Sequence, residues 1–128
     1  MKKFTAIAFL AAACFAAAPA LADEAGELSI AQTHAGLAGK ATALNGVHMH
    51  LHHALNCLVG PSGTGFDSGQ MNPCAKAGNG AIPDSTSASQ KSKLETAVAS
   101  AQAGIAATDL ATAQKDATDT ASAIGSAK

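Results

Sequence analysis

Val47-His48-Met49-His50-Leu51-His52-His53-Ala54-Leu55-Asn56-Cys57-Leu58 places four of the protein's five histidines within six consecutive positions. The same stretch carries the strongest helical pattern in the chain. Leu44, Val47, Leu51, Leu55 and Leu58 recur in steps of three and four, the period of an amphipathic helix with one buried stripe. With Leu51 set at zero and about 100° per residue, the other four fall within roughly 40° of it. His48 and His52 lie on one flank of the stripe, at about 60° and 100°. His50, Cys57 and His53 lie on the other, at about −100°, −120° and −160°.

The helix extends outward from this stretch. Ser29-Ile30-Ala31-Gln32 fits a capping box, no Pro occurs from there to Val59, and Gly60-Pro61 is a stop signal. The pattern predicts one continuous helix over 29–59, preceded by a frayed polar leader at 23–28. On that continuous wheel His34 falls near about 100°, beside His52. Gly36, Gly39 and Gly46 mark either close approach of a partner helix or a bend. A loop is expected over 60–86, rich in Gly and Pro, with Phe66, Met71 and Ile82 as its inward anchors. Ser87-Ala88-Ser89-Gln90 repeats the capping box and opens a second, Ala-rich helix over 87–125. Its apolar steps run Leu94, Val98, Ala101, Ile105, Thr108, then continue on a shifted stripe through Leu110, Ala113, Ala117, Ala121 and Ile124. Gly104 is the expected bend.

These readings define an all-α fold: an antiparallel hairpin of two long helices with a Gly/Pro-rich loop. Ala on the contact stripe buries little area, and burial stabilises by only about 25 cal/mol per Å². The thin stripe therefore predicts a homodimer that closes a four-helix bundle.

The chain opens Met1-Lys2-Lys3, runs apolar from Phe4 to Ala20, and reaches Ala20-Leu21-Ala22 before Asp23-Glu24. A basic start, an apolar run and small-x-small form the pattern of a secretory signal peptide at 1–22, so a periplasmic or secreted location is expected. The run is too short and Ala-rich for a membrane anchor. Cys14 offers a lipoprotein alternative, but Ala11 stands where such signals usually carry Leu. Residues 23–128 then form a single domain with six Lys, no Arg and nine acidic residues. That balance disfavours nucleic acid, which needs a basic face. Phe66 is the only aromatic beyond the leader. A small domain with so thin a core needs a staple, and in an oxidising compartment Cys57 and Cys74 supply a disulfide. The alternative is that both thiolates bind a metal.

Imidazole is the commonest protein ligand for transition metals. His48 with His52, and His50 with His53, are each about one turn apart and so are neighbours on a helix. Two such imidazoles can share Cu, Ni, Zn or Co. His34 is a further candidate ligand. In the hairpin register Glu95 is the only carboxylate opposite the cluster, as a ligand or as a partner to an imidazole. Catalytic signatures are absent: the chain has no HExxH, nucleophile elbow, P-loop or GxGxxG. It also lacks a CxxCH for haem.

The leader, the small size, the scarce aromatics, the Ala-rich helices and the HxHxHH cluster together resemble the small periplasmic histidine-rich metal-binding proteins of proteobacteria. The likeness rests on Val47 to Leu58 and on the Ala/Lys/Asp pattern from Ala106 to Ala123. It implies a helical bundle that sequesters copper, nickel or a related ion. This chain has one cluster rather than histidines along every helix, which implies one or two sites. The competing class is a non-catalytic interaction hairpin of the cell envelope whose histidines are incidental or sense pH.

Overall fold

The computed structural model describes residues 21–128. The leader expected at 1–22 lies outside the described residues except for its last two positions, and so does Cys14. Helices α1 (Glu24–Lys40), α2 (Leu44–Val59), the single turn α3 (Ala81–Asp84), α4 (Ala88–Ala106) and α5 (Leu110–Ala127) make an all-helical fold, with no strand among the described residues. None of these helices is long and apolar enough to cross a membrane.

Each of the two long helices expected from the sequence is two helices. The first breaks at Ala41-Thr42-Ala43 and the second at Ala107-Thr108-Asp109. At the first break Ala41 and Ala43 take extended backbone angles, and no capping side chain marks the turn: Ala43 sits at the N-cap of α2 without a side-chain hydrogen bond. The freed Ala41 carbonyl accepts a hydrogen bond from Gln114 Nε2 of α5 at 2.8 Å. Tertiary contact thus replaces the missing local signal. At the second break the Asp109 side chain caps α5, accepting from the Thr112 N–H at 2.9 Å. Gly104, the expected bend, lies inside α4, where the missing side chain lets Leu51 of α2 and Asp116 of α5 come close.

The physical reason for folding back is burial. A continuous first helix would leave the stripe Leu28, Ala31, Ala35 and Ala38 without a partner along half its length. Once broken, α1 packs on α2 and α5, and α4 packs on α2 and α5. The cross-links His34 to His50, Gln32 to Ala121, Gln90 to Ala127 and His48 to Ala107 make every adjacent pair antiparallel. The up-down-up-down bundle therefore closes within one chain, and a second copy is not needed to build the core. The core joins large residues of α2 (Val47, Leu51, Leu55, Leu58) to rows of small ones: Ala31, Ala35 and Ala38; Ala97 and Ala101; Ala113 and Ala117. Leu37 of α1 is exposed.

Residues 23–28 are not a frayed leader. Asp23 caps α1, its side chain accepting from the Gly26 N–H at 2.9 Å, and Glu24 and Glu27 occupy the first turn, where negative charge meets the positive end of the helix dipole. The Cys57–Cys74 disulfide joins α2 to the long connection, with Cα atoms 5.2 Å apart. Beside it, the fully buried Asn56 holds the same segment: its Oδ1 accepts from the Asp67 N–H at 2.9 Å, and its Nδ2 donates to the carbonyls of Asp67 at 2.9 Å and Met71 at 3.1 Å. Phe66 and Ile82 pack on the core, whereas the Met71 side chain is 61% exposed. The connection returns to α2 where Gly60 and Gly80, both at positive φ, bring their backbones together too closely for either to carry a side chain.

Candidate metal centre

α2 presents its histidines to three different neighbours. His48 donates from Nε2 to the Ala107 carbonyl at 3.0 Å, satisfying an acceptor at the end of α4. His52 points to the connection, with Nδ1 3.5 Å from Asp67 Oδ2, an approach that falls short of a hydrogen bond. The pair His48 and His52 is thus divided between two structural partners.

His50 and His53 face α1, and His34 meets them there. The break at 41–43 explains this. On a continuous helix His34 would lie along the flank of His52, but folding α1 back about Thr42 sets it opposite His50 and His53. The ligand atoms of His34, His50 and His53 all lie within 4.8 Å of one another. His34 Nδ1 and His50 Nδ1 are 3.3 Å apart, and the ring centroids are separated by 5.1 to 5.8 Å. His53, the histidine farthest from the apolar stripe on the wheel, is 5% exposed because α1 covers it, and its Nδ1 is buried without a hydrogen-bond partner.

The spacing suits a metal. Two imidazole nitrogens about 2.0–2.1 Å from Zn(II) at a tetrahedral angle stand about 3.3 Å apart. His34 and His50 already have that separation, and the third ring needs to close by no more than about 1.5 Å, within reach of side-chain rotation. The electrostatics point the same way. Burial, then the neighbouring imidazoles, push His34 and His53 below the ordinary 6.5. Neutral imidazole is the ligand form, so the cluster is held ready to bind at neutral pH. Three neutral ligands also leave room for water or an exogenous fourth ligand, as in open His₃ sites.

Glu95 is not part of this group. It is exposed on α4 and lines a cleft with Val59, Lys91 and Val98, because the register that set it against the histidines assumed a two-helix hairpin. Among the described residues the three imidazoles are the only group of three or more His, Cys, Asp or Glu side chains close enough to share an ion. Comparison with protein-family models, curated proteins and solved structures finds no significant match to this chain.

Proposed function

We propose that this chain binds one divalent transition-metal ion, Cu, Ni, Zn or Co, through His34, His50 and His53, and that it sequesters or buffers that ion in a periplasmic or secreted compartment. The observation that carries this reading is the convergence of three imidazoles from two helices, one ring buried with an unpartnered nitrogen. Such an orphan costs about 1–3 kcal/mol, and a metal–nitrogen bond removes the cost. The ligands are intrinsically selective for imidazole-loving ions over calcium or magnesium, which take oxygen. Both ligand-bearing helices belong to one chain, so the site needs no homodimer. The Cys57–Cys74 bridge suits an oxidising compartment. His48 and His52 serve the fold in this reading, and Glu95 has no role at the metal.

The experiment is a zinc titration followed through the imidazole resonances of the five histidines. The rings of His34, His50 and His53 shift together to a stoichiometry of one ion per chain, while His48 keeps its hydrogen-bonded tautomer. Equal perturbation of all five rings, or none, would remove the proposal.

A further inference from the structure

A second buried polar group lies about two turns along α1 from the metal ligand His34. Glu27 is completely buried. Its Oε1 accepts from the Gly80 N–H at 2.8 Å, and its Oε2 has no hydrogen-bond donor. The Asp84 carboxyl of α3 stands beside that of Glu27, since a single methyl group placed on Gly78 would touch both Asp84 Oδ2 and Glu27 Oε1. Asp84 itself accepts from the Asn79 N–H at 2.7 Å and from Asn79 Nδ2 at 3.1 Å. Gly78 sits so close to both carboxyls that a side chain there would collide with them.

Two ionised carboxylates in such a place repel, and Oε2 would be a buried charge without a donor. A single proton removes both problems, since Glu27 Oε2–H can donate to Asp84. We propose that Glu27 and Asp84 hold one proton between them at neutral pH, and that this proton latches the strap 78–84 onto α1 and releases it when lost.

The groups facing the pair support this. Glu24, on the same helix, adds a second negative charge. Asp23 is occupied in capping Gly26. Lys128 shares a small hollow with Glu24, Leu28 and Gln90, away from the strap. α2 and α5, the other elements packed on α1, bring no ionic group that acts on Glu27. Burial, followed by the two acidic neighbours and opposed by the Gly80 hydrogen bond, lifts the Glu27 carboxyl to about 7 from an ordinary 4.5. The latch therefore works within the physiological range.

Its position gives it a consequence. Asn79, Ile82, Pro83 and Asp84 line a cleft of about 850 Å³ together with Val59, Lys91 and Val98. Cys74 Sγ lies 3.8 Å from the Glu27 carbonyl oxygen, so the disulfide holds the far end of the connection whether the latch is open or shut. Loss of the proton thus frees the strap and the cleft residues it carries without unfolding the bundle.

The test is a titration of the side-chain carboxyl carbons by nuclear magnetic resonance, with amide exchange at Gly80 measured alongside. The Glu27 carbon titrates with a midpoint near 7. Gly80 exchange, corrected for its intrinsic rate, rises by up to about tenfold per pH unit between the ordinary carboxylate value of 4.5 and that midpoint, and levels off above it. Glu27→Gln, whose amide can accept from Gly80 and donate to Asp84, abolishes the rise. Asp84→Asn, which removes the repelling charge, moves the Glu27 midpoint down and serves if Glu27→Gln fails to fold. An ordinary carboxylate midpoint for Glu27 overturns the proposal, as does an unmoved midpoint in Asp84→Asn or an unchanged exchange profile in Glu27→Gln. A midpoint displaced by millimolar calcium also overturns it, because a cation rather than a proton would then occupy the pair.

Discussion

At the scale of single residues, the account depends on which imidazoles keep their protons off. His34 and His53 lie below the ordinary imidazole range because they are buried and because a second imidazolium would stand against them. The unfolded chain takes up protons near about 6.5, where the folded one resists. The unfolded state then binds more protons, so the stability these groups contribute is present above that pH and lost below it. Glu27 has the opposite sign: its raised value favours the folded state at low pH, and that contribution fades as pH rises from 4.5 towards about 7. The two effects overlap, so the prediction concerns the Glu27→Gln protein without metal. Its thermal midpoint falls as pH is lowered from 7.5 to 5.5, and calorimetry finding a flat profile would contradict the assignment. The clustering of four histidines on one helix was legible in the sequence. Their partition was not, because the helical wheel orders residues around one helix and cannot say which flank a second helix covers. Asn56 and Glu27 carry no sequence pattern; each acts through a contact with the 60–86 connection.

At the scale of elements, the breaks decide the molecule. The second was partly legible: the apolar stripe shifts between Thr108 and Leu110, and Asp109 is a good cap. The first left only the ambiguous trace of Gly39 and Gly46 on either side, since Ala41 and Ala43 favour helix and the carbonyl contact from Gln114 marks the turn itself. This makes Ala43 informative. It is exposed, extended and uncapped at the N-cap of α2. Ala43→Asp supplies the missing acceptor for the α2 amides and stabilises by about 1 kcal/mol. In a continuous helix the same substitution would instead cost about 0.5 kcal/mol or more. Urea denaturation separates the two signs.

At the scale of the whole molecule, a chain with almost no aromatic residues forms a core by setting the Leu row of α2 among rows of Ala. Close approach stands in for bulk, and Gly104 is where it is tightest. A helix-interior Gly→Ala change ordinarily stabilises by about 1 kcal/mol. Here the added methyl would meet Leu51 Cδ1 at 2.5 Å and Asp116 Cβ at 3.1 Å, and overpacking costs about 1–3 kcal/mol. Gly104→Ala therefore lowers the thermal midpoint despite its better propensity. The all-helical class, the disulfide and the large residues of α2 were all readable from the chain. The single-chain bundle was not, because it depends on a turn set by contacts between residues far apart in sequence. That turn also brings His34 to the site, so fold and function are tested together by one measurement. This is the affinity of the protein for Zn(II) or Cu(II) at pH 7.5, compared across His34→Ala and the double variant His48→Ala/His52→Ala. The account predicts one ion per chain, a loss of about tenfold or more in His34→Ala, and little change in the double variant. Unchanged affinity in His34→Ala together with loss in the double variant would contradict it.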